Sequence, residues 1–157
     1  MMQLAFALGL TGVSVIIHAL GTLEAVARLS RIQRRSKRKD WLFASEFRVV
    51  HFVIVLLGLH VSEAAVWAAY YVVAGLLPDM ETAMYFSLTS YTTIGYGDVV
   101  LPPSARLLGP IEGAVGILMF GWSTGIMVTA ISRIYAGRLG NSPRQNGDQG
   151  DASSDRK

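Results

Sequence analysis

Apolar residues collect in three long blocks of this chain. The blocks are Leu4 to Ala27, Val49 to Leu77 and Leu107 to Ile134. Each block exceeds the roughly 20 residues that an α-helix needs to cross a hydrocarbon core of about 30 Å. The pattern therefore predicts an all-α membrane protein with three transmembrane helices.

A shorter helix is predicted between the second and third blocks. Asp79, after Pro78, suits a helix N-cap, and Glu81 lies in the first turn, where the helix dipole favours an acidic side chain. A helix from about Met80 to Tyr91 is roughly 18 Å long at 1.5 Å per residue, too short to cross a membrane. We expect a re-entrant helix that stops partway, followed by non-helical chain that lines a water-filled path.

The first block has an alternative interpretation as a cleaved signal peptide. Such a peptide needs a basic start and a small-residue cleavage site. Residues 1–3 carry no basic side chain, so a transmembrane helix is favoured. The chain has no cysteine, and the redox compartment is therefore left open.

Basic residues set the predicted orientation. Seven of the 14 Lys and Arg residues lie in segment 28–39. Because basic flanks stay on the cytoplasmic side, we expect a plasma-membrane protein with an external N-terminus and a cytoplasmic C-terminus. The same segment is a candidate contact for anionic lipid headgroups, although topology alone accounts for it. It also explains the net charge of +3, so no nucleic-acid partner is expected.

The segment Thr92-Thr93-Ile94-Gly95-Tyr96-Gly97-Asp98 follows the predicted short helix. It resembles the signature sequence of the tetrameric potassium channel family. The resemblance covers roughly 49–134 and implies a homotetramer that conducts K⁺ passively and holds K⁺ in its filter, without an organic cofactor. Four domains are expected. They are an additional N-terminal helix at 1–27, a basic cytoplasmic loop at 28–46, the pore domain at 47–137 and a disordered cytoplasmic tail at 138–157.

By resemblance, main-chain carbonyls of the filter replace the water shell of the ion. The expected K⁺-binding residues are Thr93, Ile94, Gly95 and Tyr96, with Gly97 at the external mouth. Successive carbonyls point at one axis only if the backbone alternates in hand, and Gly95 and Gly97 take positive φ at little cost. The side chains of Ile94 and Tyr96 are expected to pack behind the filter.

A second group of residues is expected to support the filter: Thr92, Asp98, Tyr85, Phe86, Thr89 and Glu112. Tyr85 and Phe86 stand where many family members have two aromatic residues led by tryptophan. Tyr85 retains a hydroxyl for Asp98, whereas Phe86 has no donor for Tyr96. Thr89 stands where some members have a carboxylate. A weakly selective cation channel and a poorly conducting accessory subunit therefore remain as alternatives.

The third block resembles the inner helix of the same family. The residues expected at the inner cavity and gate are Gly116, Ile117, Phe120, Thr124 and Val128. Gly116 has two interpretations, as a hinge or as a site of close helix packing. The pairs 109/113 and 121/125 are glycines whose spacing also favours close packing.

Four ionisable residues lie inside the predicted helices: His18, His60, Glu63 and Glu112. Such groups are costly in a membrane and point to function or to a defined partner. We expect Glu112 near Ser87, Ser90 or Thr92. The other three form a pH-sensitive network or a static set of hydrogen bonds. They do not have the helix spacing of a zinc protease, so no enzyme is expected.

Overall fold

The computed structural model describes residues 2–35 and 41–139. Four α-helices make up this part of the chain, which has no strand: α1 Met2–Arg35, α2 Trp41–Val73, α3 Met80–Tyr91 and α4 Leu108–Leu139. Three of them are long and apolar enough to cross a membrane, over Gln3–Arg28, Val49–Val73 and Leu108–Ser132. The prediction of an all-α protein with three spans and a short helix between the second and third is confirmed.

The long helices extend beyond their apolar blocks. α1 continues to Arg35 and α2 begins at Trp41, so helix covers part of the segment 28–46 that was predicted as a basic cytoplasmic loop. Arg is a good helix former, and a helix that leaves the membrane needs no apolar side chains to continue. Similarly, α4 ends at Leu139, inside the predicted tail 138–157. The remainder of that tail lies outside the described residues.

The second span ends four residues earlier than its apolar block. α2 stops at Val73, and Gly75 adopts a positive φ of 66°. The amides of Leu76 and Leu77 then donate to the Tyr71 carbonyl, at 2.9 and 3.3 Å. Helices commonly end at a glycine in the left-handed conformation, which lets the following amides donate to the last carbonyls of the helix. This glycine also turns the chain back toward α3.

The core surrounds α3, which contacts α2 and α4, while α1 packs on both of these long helices. A buried stripe along α2 contains Ala64, Trp67, Ala68 and Tyr71, at the spacing of one helix face. The Trp67 Nε1–H donates to the Ser14 Oγ on α1 at 3.1 Å. α1 therefore packs on α2 and also on α4.

Candidate functional site

The helix α3 has the bounds that the sequence predicted. Asp79 is its N-cap, in extended conformation at φ −154°, and its Oδ1 accepts from the Thr82 amide at 2.8 Å. The Thr82 hydroxyl donates to the other carboxylate oxygen at 3.0 Å. These hydrogen bonds, the amide bond above all, hold the pKa of Asp79 below its ordinary value. The cap therefore stays ionised and fixes the point where α3 starts.

Every second residue from Thr93 to Gly97, in the signature segment after α3, has a positive φ. Thr93, Gly95 and Gly97 have positive φ, at 62°, 52° and 79°. The two glycines are as predicted. Thr93 is an addition, and it is the one non-glycine residue with positive φ within 2–35 and 41–139. A non-glycine in this region is uncommon and strained, which occurs mainly at functional sites.

Main-chain hydrogen bonds tie the start of this segment to the end of α3. The Thr93 amide donates to the Ser90 carbonyl at 2.9 Å, and the Gly95 amide donates to the Thr89 carbonyl at 3.0 Å. The Thr92 amide donates to the Leu88 carbonyl at 3.0 Å. Thr89 thus contacts the segment through its main chain, because its hydroxyl donates to the Phe86 carbonyl.

The predicted bond between Tyr85 and Asp98 is present. The Tyr85 hydroxyl donates to the Asp98 Oδ2 at 2.7 Å, across 13 residues of chain. This bond is the main cause that lowers the pKa of Asp98. Phe86 instead packs edge-on against Tyr71, with ring centroids 5.3 Å apart. One side-chain hydrogen bond therefore links α3 to the residue that follows Gly97.

We expect Tyr85→Phe to shorten the time for which the segment stays in a conductive state. The change removes the hydroxyl and leaves the ring, so only the bond to Asp98 is lost. Single-channel recording measures the open duration directly. Asp98→Asn weakens the same bond, and the double variant should lose little more than either single one. Open durations equal to those of the parent would reject this role for Tyr85.

Three glycines of α4 lie against the last turns of α3. A Cβ on Gly116 would stand 2.0 Å from the Tyr91 carbonyl oxygen, and one on Gly113 would stand 3.0 Å from the Ser90 carbonyl oxygen. A Cβ on Gly109 would stand 3.2 Å from the Phe86 ring. Only glycine allows the two backbones to approach so closely.

These distances support the close-packing interpretation of Gly116. Gly116 is buried against α3 and does not line a cavity, because the neighbouring main chain occupies the space beside it. Its helix runs unbroken from Leu108 to Leu139, so close packing accounts for this glycine and the hinge stays a prediction. Gly121 and Gly125 have open space around their Cβ positions within the described part of one chain. Close packing is thus confirmed for the first glycine pair alone.

The other predicted cavity residues share an exposed stripe of α4: Ile117, Phe120, Thr124 and Val128. Phe120 packs on the His60 ring, with centroids 4.3 Å apart, and edge-on against Tyr91 at 5.6 Å. The Thr124 hydroxyl donates to the Phe120 carbonyl of its own helix at 2.8 Å. That the stripe lines a cavity stays a prediction, because one chain encloses only part of any such space.

Glu112 is fully buried where α4 meets the back of α3. Its Oε2 accepts from the Tyr71 hydroxyl at 2.6 Å, and its Oε1 pairs with the Ser87 hydroxyl. The predicted contact with Ser87 is thus confirmed, and Tyr71 is an addition. The Ser87 Oγ also lies 2.6 Å from the Ala64 carbonyl oxygen. Since Ser87 has one proton for two acceptors, a proton on the Glu112 carboxyl completes the set.

Five buried side chains form a closed ring of hydrogen bonds, which we call the buried ring. Its members are His18, Glu63, Tyr91, His60 and Ser123. Glu63 has two partners: its Oε1 lies 2.8 Å from the His18 Nδ1, and its Oε2 lies 2.5 Å from the Tyr91 Oη. The Tyr91 Oη also lies 3.1 Å from the His60 Nδ1. The Ser123 Oγ closes the ring, at 3.1 Å from the Nε2 atoms of both His60 and His18. The ring takes one or two members from every helix.

Counting protons gives the net charge of the buried ring. Five hydrogen bonds require five protons, whereas Tyr91, Ser123 and two neutral imidazoles supply four. The fifth proton lies either on the Glu63 carboxyl or on an imidazole beside the carboxylate. In both cases the ring is neutral overall, which suits its burial.

The structure brings together the predicted residues His18, His60 and Glu63. Sequence interpretation missed Tyr91 and Ser123, although helical spacing offered a signal for both. Tyr91 lies four residues after Ser87 on α3, and Ser123 lies eleven residues, about three turns, after Glu112 on α4. Tyr91 therefore lies on the same buried helix face as Ser87, and Ser123 lies on the same buried helix face as Glu112.

The comparisons agree with this geometry. A family model described as ion channel matches residues 54–133, about half of the chain. The matched region holds most of α2, all of α3, the alternating segment and most of α4, and it excludes α1. No curated protein and no solved structure gives a significant match to the chain.

Proposed function

Because this chain belongs to the ion channel family, of the two-transmembrane potassium-channel pore-domain type, we propose that four copies of it form a potassium-selective channel. The chain is a multi-pass membrane protein with three candidate spans. K⁺ would cross the membrane passively, down its gradient, with no coupled reaction. The filter would run through residues 93–97, on the axis that the four copies share.

The alternating hand of the backbone carries this proposal. Positive φ at every second residue, at Thr93, Gly95 and Gly97, turns successive carbonyls toward the same side of the strand. A dehydrated K⁺ needs oxygen ligands on all sides, and one strand supplies only a quarter of a ring. Four strands around one axis would complete each ring of carbonyl oxygens.

Exposure of the filter side chains supports assembly. Tyr96 is 69% exposed and Ile94 is 56% exposed in a single chain. Apolar groups at membrane depth beside an ion path need a packing partner, or the strands would collapse onto the ion. A cavity of about 510 Å³ lies beside the filter, lined in part by Phe86, Thr93 and Ile117. A neighbouring copy would fill this cavity and cover the exposed side chains of Ile94 and Tyr96.

The dipole of α3 favours a cation at the inner end of this filter. α3 ends at Tyr91, one residue before the signature segment, and the C-terminal end of a helix carries partial negative charge. Four such ends would converge below the filter and hold a hydrated K⁺ there. With the basic segment 28–39 in the cytoplasm, this end faces the cytoplasmic side of the plasma membrane. Anionic lipid near that segment is part of the same proposal.

A less selective cation channel is the second candidate. One observation favours it: Phe86 packs on Tyr71 and has no polar atom with which to brace Tyr96. The filter would then rest on the Tyr85 to Asp98 bond and on its main-chain anchors. A looser filter would admit Na⁺ as well as K⁺, so ion selectivity separates the two candidates.

Assembly and flux together test the proposal. We expect the purified protein to have the mass of four chains, by light scattering corrected for detergent. In liposomes loaded with K⁺ it should conduct K⁺ when an external gradient is applied. Gly95→Ala should stop the flux, because a Cβ at φ 52° is strained and displaces a filter carbonyl. Gly58→Ala is a matched control on α2, where a Cβ has open space. A monomeric protein, or flux that survives Gly95→Ala, would contradict the proposal.

A further inference from the structure

We propose that the buried ring is a binding site for a divalent transition-metal ion, Zn²⁺ by preference, with His18, His60 and Glu63 as ligands and the Tyr91 hydroxyl in the fourth position. Two imidazoles and one carboxylate with a further oxygen are a common zinc ligand set. Imidazole nitrogens also favour Zn²⁺ over Mg²⁺ and Ca²⁺. The site is separate from the proposed K⁺ filter.

The distances bring the ligands within reach of one ion. A donor atom from each of His18, His60 and Glu63 lies within 4.8 Å of the other two. The Tyr91 Oη lies 2.5 Å from the Glu63 carboxylate and 3.1 Å from the His60 Nδ1. Ligand atoms around a tetrahedral zinc with bonds of about 2.0 Å stand roughly 3.3 Å apart. Rotations of the imidazole and carboxylate groups would bring the ligand atoms, which now lie within 4.8 Å of one another, to that spacing.

Ser123 provides the second observation that points to a metal. Its Oγ lies 3.1 Å from the Nε2 atoms of both His18 and His60. If the ion binds the Nδ1 atoms, each Nε2 carries a proton, and one hydroxyl oxygen accepts both bonds with its two lone pairs. Metal-bound histidines almost always donate their other N–H to an oxygen acceptor, and the Ser123 hydroxyl oxygen would serve as one here. One side chain of α4 would thus orient both imidazoles.

Entry of the ion releases one proton and leaves the site with a net charge of +1. The metal-free ring holds five protons, whereas the metal-bound ring needs four: one on each Nε2, one on Ser123 and one on Tyr91. Glu63 binds as the carboxylate. The fifth proton therefore leaves when the ion enters.

The route to the site passes Phe120. His60 retains 6% exposure, whereas His18 and Glu63 have none. The Phe120 ring lies over His60 at 4.3 Å and is itself 36% exposed on the stripe predicted to face the cavity. A rotation of Phe120 would open His60 to water in that cavity. The bound ion would then join α1 to α2 and to the inner end of α3.

Cobalt binding tests the proposal on the assembled channel. Tag-free protein is treated with a chelator and titrated with Co²⁺, whose visible absorption is strong in a tetrahedral site and weak in an octahedral one. We expect the strong bands to saturate at one Co²⁺ per chain and to disappear when Zn²⁺ is added. The readout does not use K⁺ flux, so its failure would leave the proposed function untouched.

Four variants locate the ion. His18→Gln and Glu63→Gln should each weaken Co²⁺ binding at least about tenfold, and Ser123→Ala about tenfold because the ligands lose their orientation. His51→Gln is the matched control, because His51 is the remaining histidine of the chain and is exposed on α2. If a ligand variant does not assemble, the test depends on Ser123→Ala, which keeps all the metal ligands and removes only the hydroxyl that orients the two imidazoles. Absent bands, bands that survive these changes, or bands lost with His51→Gln would overturn the proposal.

Discussion

Gly116→Ala is expected to abolish both assembly and K⁺ flux. The new Cβ would lie 2.0 Å from the Tyr91 carbonyl oxygen and 2.9 Å from the carbonyl carbon. Both atoms belong to the main chain, so no side-chain rotation relieves the clash. Overpacking a core with one methyl group typically costs about 1–3 kcal/mol, and a contact with a rigid helix end should exceed this range. α4 would have to move away from the end of α3 and from the filter anchors.

Detergent-resistant assembly and liposome flux measure the effect of Gly116→Ala. Gly125→Ala, on the same helix, adds the same methyl group to a position with open space in the described chain. This control should assemble and conduct like the parent. The packing account would be wrong if Gly116→Ala assembled normally, or if both alanine variants failed alike.

Glu112→Ala is expected to lower the free energy of unfolding by about 2–4 kcal/mol. The change leaves the buried Tyr71 hydroxyl without its acceptor, which costs about 1–3 kcal/mol, and it opens a cavity behind α3. Glu112→Gln should cost much less. The amide oxygen of Gln accepts from Tyr71 and its NH₂ group donates to Ser87, as the protonated carboxyl does.

Heating the assembled protein and measuring the temperature at which the assembly is lost, for each Glu112 variant, ranks the variants by stability. Glu24→Gln controls for the removal of a carboxylate, because Glu24 is exposed and pairs with Arg28 on the surface of α1. We expect no measurable change for that control. Equal losses for Glu112→Gln and Glu112→Ala would show that Glu112 holds α3 as a charged group, contrary to the proton count.

The elements that the sequence specified locally were predicted well. α3 begins and ends at the predicted residues, because the Asp79 cap and the signature segment that follows are read from neighbouring positions alone. The positive φ of Gly95 and Gly97 was predicted from the need for alternating carbonyls. The same rule, extended by two residues, would have included Thr93. A β-branched residue gave no local sign of this conformation.

Tertiary contacts limited the prediction elsewhere. The end of α2 was placed too late, because hydropathy cannot distinguish Leu76 and Leu77 in a helix from the same residues folded back after Gly75. The hinge and the close-packing interpretations of Gly116 were both left open, because a helical pattern does not say which neighbour a glycine faces. Tyr91 and Ser123 were missed because the buried ring closes across 105 residues of chain. Each of these features depends on which helices meet.

The reversal potential of K⁺ against Na⁺ tests the central claim most directly. With K⁺ on one side of a planar bilayer and Na⁺ on the other, the potential at zero current reports which ion the protein conducts. We predict that this potential follows the K⁺ gradient by about 59 mV per tenfold change, as for one permeant univalent charge, and does not respond to Na⁺. A potential near zero with equal K⁺ and Na⁺ would contradict a carbonyl filter built from residues 93–97.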